Sequence, residues 1–441
     1  MKIAFYITNS NFKDIDCSNI ENGNPGIGGT YYAMLQLVYA LSSIDNDTYY
    51  LLMDEDMKVP SNVNKIIINK ETSLCNVIIS KEIEYLVLNK IGPNTLPKTF
   101  FDSIRKTKIS VIVWVHCYIS NKIMNQLSEE ELVKKVVAVS RTFYYTWLDH
   151  SIFKKACYIY NMFDMIMPLK IKDFSKRGNN VVYVGAINYV KGVHCITQAW
   201  RKVIKTIPDA NLYIIGSGKL YSSFVECGRF GIAEKYYERR VLKPILDHGE
   251  IDKSVHFLGI MGDNKWEIMN DCKVGIVNAN SWETFGYTML EMQLAGMQVT
   301  GYKSPGLIDT MHCSAGLLYD NSDDLADVLV YLLNNNNFNN THSIEYVEKT
   351  FSKNKIVTQW VDLFHNKTNQ INTLKDLEDI DLKYLSLLRI NKKLKSLLPF
   401  LPSITYYRDL FITIDRYIYN LKDISKVKYK IYRLFNNKVY K

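Results

Sequence analysis

Ser281-Trp282-Glu283-Thr284-Phe285-Gly286-Tyr287-Thr288-Met289-Leu290-Glu291 is the stretch that decides the fold. The apolar run Val274-Gly275-Ile276-Val277 ahead of it reads as a buried parallel strand, and the helical pattern behind it stops near Gly296. Strand, tight turn and helix start follow one another. Such a turn presents free backbone N–H groups and the positive end of a helix dipole, which suits a phosphate. Glu283 stands in the turn, and Glu291 lies two helical turns on, about 12 Å along the axis.

The same alternation extends both ways. Upstream, Val181–Gly185, Asn211–Gly218 and Val255–Gly259 read as strands with their turns, and Lys191-Gly192 opens a helix that runs past Ala199. Downstream come the strand Gln298–Tyr302, the turn Ser304-Pro305-Gly306 and the run Ala315–Tyr319. The first part of the chain repeats the pattern with Lys2–Thr8, Tyr49–Met53, Lys65–Ile68, Ile109–His116, Val136–Ser140 and Cys157–Asn161. A glycine-rich loop, Asn24-Pro25-Gly26-Ile27-Gly28-Gly29-Thr30, precedes the first helix. Strands and helices at this spacing make doubly wound parallel sheets. Polar residues 170–180 read as a linker between two of them, and about Ile344–Phe364 as one long closing helix.

Six short motifs occur in order: Lys191-Gly192, Gly216-Ser217-Gly218, Phe257-Leu258-Gly259, Glu283-Thr284-Phe285-Gly286, the Glu283–Glu291 pair, and Ala315-Gly316-Leu317-Leu318. In this order and spacing the chain resembles retaining glycosyltransferase family 4, with its E-x7-E motif and its GT-B fold, over residues 1 to about 365. The resemblance implies an α/β chain of two Rossmann-like, doubly wound parallel-sheet domains facing a cleft. The expected division is 1–168 for an acceptor-side domain, 169–343 for a nucleotide-sugar domain, 344–365 for a helix crossing back, and 366–441 for a basic, aromatic-rich helical extension. Glu283, His116 and Lys191 are the residues expected to act on the transferred sugar and the leaving diphosphate. Gly28, Gly29, Lys191, Thr284, Phe285, Gly286, Tyr287 and Glu291 are expected to bind the donor, with Glu291 on the ribose hydroxyls. The chain departs from the family after Gly185, where Ala186-Ile187-Asn188 stands in place of an arginine; Arg141 and Lys303 are the candidate replacements. Asp309 stands near the place of a "G-G-x-x-E" motif that is otherwise poorly matched.

The resemblance implies transfer of a sugar from a nucleotide-sugar to a hydroxyl of a glycan or lipid-linked acceptor, in cell-surface polysaccharide synthesis. No cofactor and no metal are expected, since helix ends and cations stabilise the leaving group in such enzymes. Asp54-Glu55-Asp56 has the form of a metal-binding Asp-x-Asp, yet it follows an early strand and reads as a solvated loop. The alternatives on the same fold are a nucleotide-sugar 2-epimerase and a non-catalytic subunit of a glycan assembly complex. A nicotinamide-binding Rossmann enzyme would need a G-x-G-x-x-G after the first strand, and none is there.

Composition fits this picture. With 441 residues, 47% hydrophobic and 22% charged, the chain is globular and long enough for two or three domains. Its eight cysteines are scattered without C-x-x-C spacing, so reduced thiols and a cytoplasmic site at the inner face of the membrane are expected. The start, Met1-Lys2-Ile3-Ala4-Phe5-Tyr6-Ile7, reads as a strand and not as a signal peptide. Charge is uneven. Residues 366–441 hold sixteen Lys and Arg against seven Asp and Glu, whereas residues 1–365 balance to zero. Leu387, Ile390, Leu394, Leu397 and Leu401 fall at helical spacing in this basic tail, a pattern that fits an anionic membrane surface or a helical appendage packed on the body or on a second subunit. A neutral body and a tail without a known motif argue against nucleic acid.

Overall fold

A computed structural model describes residues 1–68, 73–90, 98–165, 168–220, 225–367, 380, 382–411 and 414. Two parallel sheets organise it. The first contains β1 (Lys2–Ile7), β2 (Thr48–Met53), β3 (Asn64–Ile67), β4 (Tyr85–Lys90), β5 (Ser110–Val115), β6 (Val133–Ala138) and β7 (Ala156–Tyr158), in the order β3-β2-β1-β4-β5-β6-β7. β4 falls between the Lys65–Ile68 and Ile109–His116 runs, where the sequence pattern marked no strand. β5 is buried from Val111 onward, because a parallel sheet is covered on both faces and its inner strands read as unbroken apolar runs.

The second sheet contains β8 (Gly178–Val184), β9 (Asn211–Ile215), β12 (Val255–Gly259), β13 (Cys272–Val277), β14 (Gln298–Tyr302) and β15 (Gly316–Tyr319), in the order β12-β9-β8-β13-β14-β15. A small antiparallel hairpin, β10 (Leu246–Asp247) with β11 (Glu250–Ile251), lies between β9 and β12 in sequence. Strand order reverses between β1 and β4 in the first sheet and between β8 and β13 in the second. At such a switch point the loops leaving adjacent strands part in opposite directions and leave a crevice. The loop after β1 carries Gly28-Gly29, the loop after β8 carries Lys191, and the loop after β13 carries Glu283.

Residues 170–180 dock on the second lobe instead of hanging free. The buried Arg177 guanidinium donates to the carbonyls of Lys172, Cys272 and Ala295. Burial pulls its pKa down to about 10.

At the other end, the single closing helix expected from the pattern is two helices, Thr341–Thr350 and Lys353–Phe364. The break falls at Phe351-Ser352, where an aromatic and a cap-forming residue follow β-branched Thr350, all poor helix interiors. Phe351 is fully buried and packs on Tyr160 of the first lobe and on Phe285 and Tyr346 of the second. The second of the two helices then seats Trp360 against Phe5 and Trp114 beneath the first sheet.

Beyond it, helix Lys383–Leu397 and residues 404–411 lie on the first lobe. Asp149 accepts from Asn391 Nδ2 at 2.6 Å and from the Ile404 N–H at 2.6 Å, and its carbonyl accepts from Lys395 Nζ at 2.8 Å. Asp409 accepts from Tyr118 Oη and from the Asn121 N–H. The Arg408 guanidinium covers the Tyr118 ring at 3.5 Å. Most of the expected tail, including 415–441, lies outside the described residues.

Candidate active site

The turn after β13 is fixed by hydrogen bonds on all sides. Gly306 N–H donates to the Glu283 carbonyl at 2.8 Å, Ser140 Oγ to the Thr284 carbonyl at 2.7 Å, and Thr310 Oγ1 to the Phe285 carbonyl at 3.0 Å. Thr284 Oγ1 in turn donates to the His116 carbonyl at 2.5 Å. The Ser140 and His116 bonds cross from one lobe to the other, so the turn is built by both. Gly306 is obligatory, since a Cβ there would stand 2.3 Å from the Phe285 nitrogen. Gly286 has φ +91, a left-handed conformation that starts helix Tyr287–Leu294 without a side-chain clash.

The loop after β8 is stitched to the same turn. Lys191 N–H donates to Asn188 Oδ1, the Lys191 carbonyl accepts from Ala279 N–H, and Ser281 Oγ donates to the Val190 carbonyl. Gly192 has φ +76, and a Cβ would stand 2.4 Å from Asn280 Cβ. This close approach brings Lys191 Nζ to 2.5 Å from Glu283 Oε2, with the two side chains 24% and 18% exposed. Burial alone would raise the Glu283 pKa. The Lys191 charge and hydrogen bond, with Asn278 Nδ2 and the Thr284 N–H, outweigh it and hold the carboxyl below its ordinary value.

Glu291 has a lysine partner of its own. Lys265 Nζ lies 2.7 Å from Glu291 Oε1, with the side chains 18% and 11% exposed. Sequence reasoning missed Lys265. It opens the helix that follows β12, and its one signal was a helix-start cation shortly after the Phe257-Leu258-Gly259 motif. Two carboxylates, each matched by a lysine, therefore stand one in the turn and one in the helix that follows it.

From the first lobe, the glycine loop closes on this helix: a Cβ on Gly29 would lie 3.6 Å from the Tyr287 ring, and Tyr32 packs edge-on against Tyr287 at 5.7 Å. His116 ends β5 with its ring against Trp114 at 4.4 Å. Burial takes its pKa down to about 3, so the imidazole is neutral at working pH. On the outer side of the turn, Trp282 meets Tyr384 of the C-terminal helix at 5.2 Å and Arg408 at 5.9 Å.

Other sequence candidates fall elsewhere. Ala186 and Ile187 are buried, because Gly185 and Gly216 stack so tightly that the loop turns into the core; Tyr183 Oη donates to the Ala186 carbonyl. The place of the family arginine is thus filled by apolar side chains. Of the two candidate replacements, Arg141 faces Asp309, and Lys303 lies 3.9 Å from Asp320. Asp309 is an interlobe clasp: its carboxylate accepts from the Thr142 N–H at 2.7 Å and from Thr142 Oγ1 at 2.6 Å. Burial raises its pKa to about 6 in spite of those bonds and of Arg141. In the Asp54-Glu55-Asp56 segment, Asp54 accepts from Tyr6 Oη and Asp56 pairs with Lys65. Among the described residues no group of three or more His, Cys, Asp or Glu could hold a metal, and all eight cysteines are unbridged.

Residues 169–349 match the family model of glycosyl transferases group 1. No curated protein matches the chain. Solved structures do match in fold. Alr3699/HepE of Anabaena, crystallised with UDP and glucose, is 16% identical with a TM-score of 0.58 and covers 83% of this chain and 100% of its own. The sucrose-phosphate synthase of Thermosynechococcus elongatus is 14% identical, with a TM-score of 0.60 and coverage of 83% and 99%. A glycosyltransferase of Rickettsia africae is 13% identical, with a TM-score of 0.61 and coverage of 84% and 99%. The chain thus has the GT-B fold, and its second lobe matches the glycosyl transferases of group 1.

Proposed function

We propose that the protein is a retaining glycosyltransferase that moves a sugar from a nucleotide-sugar to a hydroxyl of a glycan or lipid-linked acceptor, in cell-surface polysaccharide synthesis at the inner face of the membrane. The observation that carries it is the pair of lysine-matched glutamates, Lys191–Glu283 and Lys265–Glu291, at the strand-order switch point of the second sheet. The two carboxylates flank the Thr284–Gly286 turn and the first turn of helix Tyr287–Leu294, the kind of helix start that suits a diphosphate. UDP and glucose bound to the HepE neighbour make a uridine donor the first to test.

In this reading Glu291 accepts the ribose diol and Lys265 fixes its orientation. With the Thr284 N–H engaged by the Glu283 carboxylate, the N–H groups of Phe285, Gly286 and Tyr287 are left to meet the diphosphate across the Gly28-Gly29 loop, where glycine lets the backbone come close. Glu283 holds the sugar hydroxyls. As the bond from the anomeric carbon to the phosphate oxygen breaks, Lys191 stabilises the negative charge that collects on the leaving diphosphate. The acceptor hydroxyl attacks from the same face and passes its proton to the leaving phosphate oxygen. His116, held neutral, offers a hydrogen bond to the sugar and carries no proton. Lys191 and the N–H groups at the helix start stand in this reading where a divalent ion would otherwise offset the diphosphate charge, so the mechanism needs no metal.

The test is a screen of nucleotide-sugars for thermal stabilisation and slow hydrolysis, with and without EDTA. One donor should raise the Tm and be consumed at the same rate in both conditions. Failure of every nucleoside diphosphate to stabilise the protein would overturn the reading. Loss of activity in EDTA that returns with manganese would overturn its metal-free form. Exchange of a sugar C–H with solvent deuterium, with donor alone, would instead identify an epimerase.

A further inference from the structure

The C-terminal helix Lys383–Leu397 carries two apolar faces. One, with Leu385 and Leu388, is buried against the first lobe, and Asn391 on the same side bonds Asp149. The other, Leu387, Ile390, Leu394 and Leu397, is the stripe that the sequence pattern singled out, and it is exposed. Leu397, at the end of the helix, is 78% exposed, and Phe400 in the turn after it is 79% exposed. Phe411, at 70%, is exposed in the helical stretch that follows. An exposed row of large apolar side chains is an interaction surface unless something covers it.

Charge says what covers it. Residues 382–411 contain six Lys and Arg and one acid, Asp409, which is already bonded to Tyr118 and Asn121. Lys383, Lys392 and Lys393 are exposed, and Arg389 is half-exposed. Leucine and phenylalanine flanked by cations alone match the boundary of an anionic bilayer, where the rings and aliphatic chains enter the acyl layer and the ammonium groups stay among the phosphates. A second protein surface would more commonly be met with charges of both signs.

We propose that Leu387, Ile390, Leu394, Leu397 and Phe400 form a docking face for an anionic lipid bilayer, held rigidly on the first lobe by the bonds to Asp149, Asn121 and Tyr118. No described helix is long and apolar enough to cross a membrane. Tyr118 lies two residues past His116, and Tyr384 and Arg408 reach Trp282, next to Glu283. The start of the helix that carries the face is thus anchored on the outer side of the turn that holds Glu283. Resting on the glycosyltransferase reading, this position presents the cleft to an acceptor hydroxyl carried on lipid.

The test is flotation of the full chain with vesicles of phosphatidylcholine alone or with a third phosphatidylglycerol, at low and high salt. The chain should float with the anionic vesicles, and salt should release it. The double variant Leu397→Ser and Phe400→Ser, both at exposed positions, should lower the bound fraction at least tenfold, with an unchanged melting curve and unchanged turnover of a water-soluble acceptor. Lys392→Glu with Lys393→Glu should bring anionic vesicles down to the level of neutral ones. The proposal is overturned if the wild-type chain ignores anionic vesicles, or if the double variant floats as well as wild type. It is also overturned if sedimentation shows a dimer that the double variant dissociates, since a second copy then occupies the face. Flotation is read without any donor, so its outcome is independent of whether a nucleotide-sugar is turned over.

Discussion

Lys191→Met removes the ammonium that lies 2.5 Å from Glu283 and keeps most of the side-chain volume. Its expected effects follow from what Glu283 then faces. Burial is the largest influence on that carboxyl, and Lys191 is the chief influence opposing it. Removing one partner of a fully buried pair costs about 3–5 kcal/mol. Since roughly a fifth of each side chain still meets solvent, the loss here should be nearer about 1–3 kcal/mol.

The pH dependence has a definite sign. In the wild type the Glu283 pKa is depressed, so its stabilisation is present above the unfolded-state pKa and fades as pH falls through the folded one. In the variant, burial prevails and the pKa rises, so stability is lost as pH increases. The gap between wild type and variant should therefore widen from about pH 4 toward neutrality, measured by denaturant melts across that range.

Catalysis should suffer more than folding. Loss of one group that stabilises charge in the transition state typically costs about 10²–10³ in kcat. Turnover of the donor found by screening is the assay, with UDP-induced thermal stabilisation as the binding control. Lys191→Met combined with Glu283→Gln should be less stable than either single variant by much less than the sum, because the pair acts as a unit. A variant with kcat within about twofold of wild type, or a stability gap that does not change with pH, would refute both the assigned role and the electrostatic account.

Two further outcomes are expected. Glu291→Ala and Lys265→Met should each weaken UDP binding by about 1–3 kcal/mol for a charged hydrogen bond, with kcat changed less than KM; titration calorimetry and steady-state kinetics check this, and a change in kcat alone would count against the ribose assignment. Asp309 has its pKa raised to about 6, so its ionisation opposes folding as pH rises from about 4 through 6; relative to wild type, Asp309→Asn should gain about 3 kcal/mol of stability between pH 4 and pH 7, and a flat difference would refute the burial account.

The parallel sheets were legible because buried strands such as Val274–Val277 and Val111–Val115 are unbroken apolar runs, and because Gly286 and Gly192 mark tight turns. Glu283 and Glu291 stood out by their spacing, although only Glu291 lies on the helix, which starts at Tyr287. Lys265 did not. It reaches Glu291 only because the chain returns from β12 at the edge of the sheet to β13 in its middle, a fact of strand order that no local pattern records. Asp309 was visible as a carboxylate near an expected motif, yet its partner Thr142 lies in the other lobe, so its use as a clasp was not. The C-terminal helix shows a third limit. Its periodicity revealed an apolar stripe, but Leu385 and Leu388 supply another, and sequence alone does not say which of two apolar faces meets the body.

The lobes are tied together at several separate places. Thr284 and Ser140 bridge them at the turn, Thr142 and Asp309 bridge them alongside, the backbone of Phe351 accepts from Phe163, and the C-terminal segment runs from Asp149 to Trp282. Mechanically these ties act in parallel. Pulling the lobes straight apart would break all of these bonds at once, at about 1 kcal/mol or more for each buried hydrogen bond. The edge-on contact of Trp282 with Tyr384 is one more such tie, so the residue beside Glu283 is braced by a helix from the far end of the chain.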